Sequence, residues 1–180
     1  MLLSYDEALD LFGSRGKLRS AVNKGEIYSV ARGVYSTDDD LDAMELVGKF
    51  YPDATVTGLT ALYVHGLIDT PPGRIDVATK RGGTKIANPA VAQHFVPVDW
   101  ISVGRVSIEF DGREIPVYDC ERMLIELMRS RNKYPRDLYK DAIRSFRERA
   151  NSLDMCKLDA YAAVIPRGQA YLDRAFEEVF

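Results

Sequence analysis

The sequence has few of the residues that stabilise small secreted or metal-binding domains. Only two cysteines, Cys120 and Cys156, occur in 180 residues, and neither belongs to a CxxC motif or a Cys/His cluster. This scarcity argues against a disulfide framework and a zinc site, and it favours a reducing compartment. The GxxxxGK[ST] pattern of a phosphate-binding loop does not occur either. We therefore expect neither a bound metal nor a cofactor.

Long apolar runs and an excess of positive charge are also missing. No hydrophobic run approaches the ~20 residues that span a bilayer. The start, Met1 to Asp6, lacks the basic and apolar regions of a signal peptide. These features predict a cytoplasmic protein with no membrane partner. Proteins that coat nucleic acid non-specifically are usually basic overall, so the net charge of -3 argues against this role, and any nucleic-acid role must come from a local patch.

The composition is that of a globular protein, with 46% hydrophobic and 28% charged residues. The order of predicted elements indicates an α+β fold in two domains. Residues 1–37 predict a minimal winged helix-turn-helix. Residues 38–180 predict a mixed domain with a β-sheet and a helical C-terminal half.

The first 36 residues predict helix, turn, helix and hairpin. Serines begin the two helices and glycines end them, over 4–12 and 14–24. Two β-prone runs, 26–30 and 34–36, flank a turn that contains Gly33. A full winged helix has one more helix in front, and only three residues precede the Ser4 cap. We therefore expect something else to cover the open side of this unit.

The mixed domain begins after a polar linker, Thr37 to Asp40. An Asp111-Gly112 pair predicts a hairpin, and Pro135, Pro166 and Gly168 mark breaks between helices. The predicted helices are 41–51, 58–66, 120–130, 135–149, 153–164 and 168–179, and the predicted strands are 54–56, 75–79, 93–98, 106–110 and 113–118.

Positive charge is concentrated in the N-terminal unit. Residues 14–35 carry a net charge of +4, which leaves -7 for the rest of the chain. On the second helix, Leu18 and Ala21 mark the side expected to face the core, and an adjacent stripe carries Arg and Asn. These side chains suit two-pronged contacts with guanine and adenine edges, and Ser14 at the helix N-terminus suits a phosphate. The predicted DNA-binding residues are Ser14, Arg15, Lys17, Arg19, Ser20, Asn23, Lys24 and, at the hairpin tip, Arg32.

A second basic stripe follows Pro135. Its five members fall on one side of a helical wheel, with Asp137, Asp141 and Glu148 beside them. The stripe is either a solvated face with mixed ion pairs or a docking surface for RNA, DNA or an acidic partner protein. Its members are Lys133, Arg136, Lys140, Arg144 and Arg147.

Catalysis has weak support in the sequence. Asp76 with Lys80, and Glu109 with Asp111, could be combined into a metal-dependent nuclease site, but their spacing is not that of a PD-(D/E)xK site. The Gly-Ser turn and paired aspartates of a nucleotidyltransferase are absent. We expect no enzymatic activity and no catalytic residue, and a cryptic nuclease is the last-ranked alternative.

The remaining polar candidates predict structural roles. His65 lies on an apolar helix and is expected to pack in the core, whereas His94 falls in a strand with no carboxylate nearby in sequence. Asp119 is expected to cap the helix that follows it. Cys120 has no obvious histidine partner and is not expected to act as a nucleophile.

Five segments resemble a known family in their order and spacing. They are Tyr5–Leu9, Gly25–Tyr28, Arg32–Ser36, Leu59–Leu67 and Tyr118–Leu127. Together they are similar to AbiEi-family antitoxins of type IV toxin–antitoxin systems, and the similarity extends over nearly the whole chain.

The resemblance implies a bacterial antitoxin with two roles. Its N-terminal winged helix would bind inverted repeats upstream of its own gene as a homodimer on DNA and repress the operon. Its C-terminal domain would counter an AbiEii-like nucleotidyltransferase toxin, without necessarily forming a stable complex. By position, 15–24 corresponds to the recognition helix and Arg32 to the wing. The alternative from another class is a protein-interaction module without DNA binding.

Overall fold

The computed structural model describes residues 1–39 and 41–180, and these form an α+β structure with eight α-helices and two β-sheets. Asp40, the last residue of the predicted linker, lies outside the described residues. The strands are β1 (Leu2–Ser4), β2 (Tyr28–Ala31), β3 (Val34–Ser36), β4 (Thr55–Val56), β5 (Ile75–Lys80), β6 (Val91–Val96), β7 (Arg105–Phe110) and β8 (Arg113–Tyr118). The helices are α1 (Tyr5–Phe12), α2 (Arg15–Lys24), α3 (Ala43–Phe50), α4 (Gly58–Val64), α5 (Cys120–Arg129), α6 (Arg136–Glu148), α7 (Met155–Val164) and α8 (Gly168–Glu178).

The N-terminal unit (residues 1–37) contains a strand that the sequence did not predict. β1 pairs antiparallel with β3, which gives a three-stranded sheet in the order β1-β3-β2. Ser4 ends β1 and also caps α1, because its hydroxyl accepts from the Glu7 N–H while the Glu7 carboxylate accepts from the Ser4 N–H. The predicted strand 26–30 begins later than expected, because the Glu26 N–H bonds back to the Ala21 carbonyl at the end of α2.

The second sheet is mixed and has the strand order β6-β5-β4-β8-β7. β5 runs parallel to β6, and β4 runs antiparallel to β5 but parallel to β8. β7 and β8 form the predicted hairpin, with Asp111 and Gly112 both at positive φ in the turn. The predicted strand 93–98 is wrong by two residues. The parallel pairing begins at Val91, and Pro97 cannot donate a ladder hydrogen bond.

The main hydrophobic core lies between this sheet and the C-terminal helices. Residues 121–128 of α5 are all buried, and side chains of α6, α7 and α8 join them in one cluster. Phe146 of α6 and Leu172 of α8 are buried members of this cluster. None of the helices in the described part of the chain has the length and apolar character required to cross a bilayer.

The open side of the N-terminal unit is covered by α3 and the larger sheet. Leu2 and Val34 share a hydrophobic cluster with Leu46 of α3 and with Val77 and Val91 of the larger sheet. α3 is shorter than the predicted helix 41–51, because the Asp42 side chain accepts from the Met44 and Glu45 backbone and thereby begins the helix. The N-terminal unit therefore packs directly on the rest of the chain.

Candidate functional site

α2 carries the predicted DNA-binding set and is well capped. The Ser14 hydroxyl accepts from the Lys17 N–H at 3.3 Å, and Gly25 ends the helix in the left-handed conformation. Because that hydroxyl accepts in the cap, its proton stays available to donate to an anion at the helix N-terminus. Leu18 and Ala21 are buried, as predicted, and join α2 to α1.

The opposite side of α2 is exposed, and we call it the α2 surface. It carries Arg15, Lys17, Arg19, Ser20, Asn23 and Lys24, all of which are exposed. Among the described residues, Lys24 pairs with Glu26 at 3.8 Å, whereas no carboxylate lies within 4 Å of the three other basic side chains. Arg15, Arg19 and Asn23 recur at intervals of four residues, so they lie along one stripe. The α2 surface is therefore a set of cationic and amide groups with few internal partners.

Arg32 lies in the two-residue turn between β2 and β3 and is exposed. The next residue, Gly33, has a φ of 72°, a conformation that glycine adopts without strain. A Cβ at Gly33 would lie 3.9 Å from the Tyr5 Cβ of α1, so this turn passes close to the first helix. Arg32 therefore sits at the tip of the hairpin, as predicted.

The second predicted basic surface lies on and just before α6, and we call it the α6 surface. Its members, Lys133, Arg136, Lys140, Arg144 and Arg147, are all exposed. Two of them bond within the protein. Arg144 pairs with Asp141 at 2.9 Å, and the Arg147 Nε donates to the Glu178 carbonyl at 2.7 Å. The opposite face of α6 is buried through Ala142, Ile143 and Phe146.

His94 has a carboxylate partner that is distant in the sequence. The parallel register of β5 and β6 brings Asp76 of β5 near His94 of β6, and the Asp76 Oδ1 lies 2.7 Å from the His94 Nε2. The other Asp76 oxygen accepts from the Leu59 N–H at the start of α4. A Cβ at Gly58 would lie 2.8 Å from the Asp76 Cγ, so the glycine leaves room for this carboxylate. Eighteen residues of sequence separate the pair, which is why the sequence did not reveal it.

The residues of the nuclease alternative are not brought together. Asp76 is on β5 and Glu109 on β7, with β4 and β8 between them in the sheet. Three strand spacings separate them by roughly 14 Å. The described residues contain no group of three or more potential metal-ligating side chains.

A cavity of about 150 Å³ lies beside the Asp76–His94 pair. Its walls combine apolar side chains, such as Leu59 and Val96, with the carboxylates of Asp76 and Glu126. Arg129, Ser130 and Lys133 line its side toward the end of α5 and also line an adjoining groove. Lys133 of the α6 surface thus lines a concave site that the sequence did not predict.

A buried ion pair between Arg122 and Glu126 fixes the position of Glu126, which lines this cavity. The Arg122 side chain is fully buried and donates to the Glu126 Oε1 and to the carbonyls of Trp100 and Val103. Its guanidinium also stacks 4.5 Å from the Tyr118 ring centroid. This network was not predicted, although arginine and glutamate spaced by four residues in an apolar helix are a usable signal.

The other polar candidates have structural roles. The Asp119 side chain caps α5 by accepting from the Arg122 N–H, as predicted, and it also accepts from the Tyr161 hydroxyl at 2.8 Å. Burial raises the pKa of the Cys120 thiol to about 11, so it is a poor nucleophile at neutral pH. His65 is only partly buried, and its Nε2 lies 2.7 Å from the Tyr118 carbonyl.

The chain is similar to a protein of known structure in its fold. No family model matches the sequence, and no curated protein sequence matches it. Among solved structures, the chain is similar to the RV2827C protein from Mycobacterium tuberculosis, with a TM-score of 0.70. The match covers 96% of this chain and 71% of that chain at 13% identity. At this identity the likeness shows the α+β fold alone.

Proposed function

We propose that this protein is an antitoxin of a type IV toxin–antitoxin system that represses its own operon. In this proposal, the N-terminal unit is a winged helix-turn-helix with α2 as the recognition helix and the β2–β3 hairpin as the wing. The remaining chain, from residue 38 to residue 180, counters an AbiEii-like nucleotidyltransferase toxin in the cytoplasm. The protein itself catalyses no reaction.

The observation that carries the DNA-binding role is the composition and exposure of the α2 surface. Arg15, Arg19 and Asn23 form one exposed stripe, and arginine and asparagine can each make two hydrogen bonds to a base edge in the major groove. The net charge of 14–35 is +4 in a chain of net charge -3, so positive potential is concentrated at this end of the molecule. Arg32 at the hairpin tip suits a phosphate or the minor groove.

Repression of an operon through inverted repeats requires two copies of the recognition helix. Two-fold symmetric half-sites are bound by two protomers that place their recognition helices in successive major grooves. The operator upstream of the gene is therefore expected to bind two chains, and the homodimer forms on DNA.

The antitoxin role concerns the α6 surface. Lys133, Arg136 and Lys140 have no carboxylate partner within 4 Å among the described residues, so they are available to an acidic partner. The proposal requires functional antagonism of the toxin, by contact with it or with its target, and does not require a stable complex of the two proteins.

A titration by fluorescence anisotropy tests the DNA-binding role. The full chain is added to a duplex from upstream of its gene and to a scrambled duplex of equal length, at several salt concentrations. We expect preference for the upstream duplex and a decline in affinity with salt, because phosphate contacts release counterions. Equal affinity for both duplexes, or no binding at low salt, contradicts the proposed repressor.

A protein-interaction module without DNA binding remains as the second proposal, because the α6 surface is exposed and only partly paired. Growth rescue separates the two proposals. A chain that rescues cells from the toxin without binding DNA, and loses rescue in Lys140→Ala with Arg136→Ala, favours the interaction module. A chain that rescues cells and prefers its upstream DNA favours the antitoxin repressor.

A further inference from the structure

The concave site beside α5 has two adjoining parts. The first is the cavity of about 150 Å³, whose apolar walls include Leu59, Val96 and Tyr134. The second is an open groove at the end of α5. Arg129, Ser130 and Lys133 line both parts, so one bound molecule can occupy the cavity and the groove together.

The groove is suited to an anion. Four basic side chains and no carboxylate line it: Arg129, Arg131, Lys133 and Arg174. All three arginines are already oriented by the protein. Arg129 pairs with Glu126 at 2.7 Å, and Arg131 pairs with Glu178 at 3.2 Å. The Arg174 Nη1 donates to the Met128 carbonyl at 2.9 Å. Lys133 has no carboxylate within 4 Å among the described residues. Fixed arginines beside an unpaired lysine favour a phosphate group over a neutral ligand.

The cavity is suited to one small ring that carries hydroxyl groups. A cavity of this volume accommodates a single six-membered ring. Each Asp76 carboxylate oxygen takes part in one hydrogen bond and keeps a lone pair that can accept from a ring hydroxyl.

Tyr134 adds a further polar group to this cavity. None of the hydrogen bonds found among the described residues involves the Tyr134 hydroxyl. Burial, with Glu126 and Asp76 nearby, raises the pKa of this phenol, so it stays protonated and can donate to a ring oxygen. Its aromatic face can pack against the C–H face of a sugar.

We propose that this site binds a phosphorylated monosaccharide, with the sugar ring in the cavity and the phosphate in the basic groove. The inference is independent of DNA binding, because none of the lining residues belongs to the α2 surface. The same chemistry occurs in a free sugar phosphate and in the sugar phosphate of a nucleotide, whose base would lie outside the cavity because the cavity holds one ring. Either source places its phosphate beside Arg129 and Lys133.

Isothermal titration calorimetry of the full chain with ribose 5-phosphate tests this proposal. We expect saturable binding, and we expect ribose alone and inorganic phosphate alone to bind at least about tenfold more weakly, since each fills one half of the site. Lys133→Ala is expected to weaken binding about tenfold by removing one charge-assisted contact. Lys85→Ala is the matched control, an exposed lysine that does not line the site, and it is expected to leave binding unchanged.

Uridine monophosphate distinguishes the two sources of the ligand. Tighter binding of uridine monophosphate than of ribose 5-phosphate, with the same dependence on Lys133, identifies a nucleotide; the reverse order identifies a free sugar phosphate. Three results overturn the proposal: no saturable binding of either molecule, inorganic phosphate binding as tightly as ribose 5-phosphate, or equal weakening by Lys133→Ala and Lys85→Ala. Because Lys133 is exposed, its replacement is not expected to disturb folding.

Discussion

The Asn88 side chain donates a hydrogen bond of 2.6 Å to the Val30 carbonyl and so ties the N-terminal hairpin to the loop before β6. Asn88 is buried, and its Oδ1 also accepts from the Ala90 N–H at 2.7 Å. One side chain therefore fixes its own loop and the β2 strand, which lies 58 residues earlier in the chain. This hydrogen bond joins the same two parts of the chain as the hydrophobic cluster around Leu2 and Val34 does.

Asn88→Ala is expected to lower the free energy of unfolding by about 1–3 kcal/mol, because the Val30 carbonyl and the Ala90 N–H lose their partner. Urea denaturation measures this change. Asn151→Ala, at an exposed position, is the control and is expected to change little. Equal stability of the two variants would show that the link to Val30 is replaceable by water.

Arg19→Ala is expected to weaken binding to the upstream duplex by about 1–3 kcal/mol, because one base-edge contact is lost. The affinity for the scrambled duplex should fall by less, since that duplex has no matched base for the arginine to contact. Anisotropy titration of both duplexes measures the difference. Arg81→Ala removes the same charge from an exposed turn after β5, and affinity should stay near that of the parent chain. An unchanged affinity in Arg19→Ala would rule out α2 as the recognition helix.

Arg122→Met is expected to destabilise the chain by about 3–5 kcal/mol, because Glu126 keeps its buried charge with one partner fewer. The Arg129 side chain still pairs with Glu126 and limits this cost. Adding Glu126→Leu to Arg122→Met should recover part of the lost stability, since the buried, under-compensated carboxylate is then removed as well. A double-mutant cycle by urea denaturation measures the coupling, with the exposed Arg144→Met as the control. Additive effects of the two substitutions would contradict a coupled pair.

Alkaline pH is expected to destabilise the protein. Burial raises the pKa of Tyr118 from 10 to about 12 and that of Cys120 from 9 to about 11. The folded chain thus holds these protons more tightly than the unfolded chain does, so unfolding releases them and becomes easier as pH rises. The stabilisation is fully present below pH 9 and is lost as pH approaches 12. For Tyr118 alone it amounts to about 2–3 kcal/mol.

Urea denaturation at increasing pH measures this dependence. Tyr118→Phe loses the hydrogen bond to the Ile101 carbonyl and is less stable at neutral pH, but its stability should fall less steeply with pH. Tyr28→Phe, at an exposed position on β2, should keep the steep dependence of the parent chain. Parallel curves for the parent and Tyr118→Phe would exclude Tyr118 as a source of the effect.

Helix ends and the β7–β8 hairpin were predictable because their signals are local. Ser4, Ser14 and Asp119 bond to backbone groups three residues ahead, and Asp111-Gly112 adopts the positive φ values that a tight hairpin needs. The α2 surface was predictable for a related reason. A helical wheel shows which residues share a face, and the buried Leu18 and Ala21 then leave the polar stripe in solvent.

The sequence by itself determined most of the helices, the caps of α1, α2 and α5, and the exposed basic face of α2. Each of these features depends on residues within one or two turns of one another. Only the tertiary structure decided that β1 joins the β2–β3 hairpin, that Asp76 meets His94 and that Arg122 is buried beside Glu126. These features depend on strand register and on the packing of distant segments. No spacing in the sequence specifies which strand lies beside another, because the pairing energy is gained only when the whole sheet and its covering helices assemble.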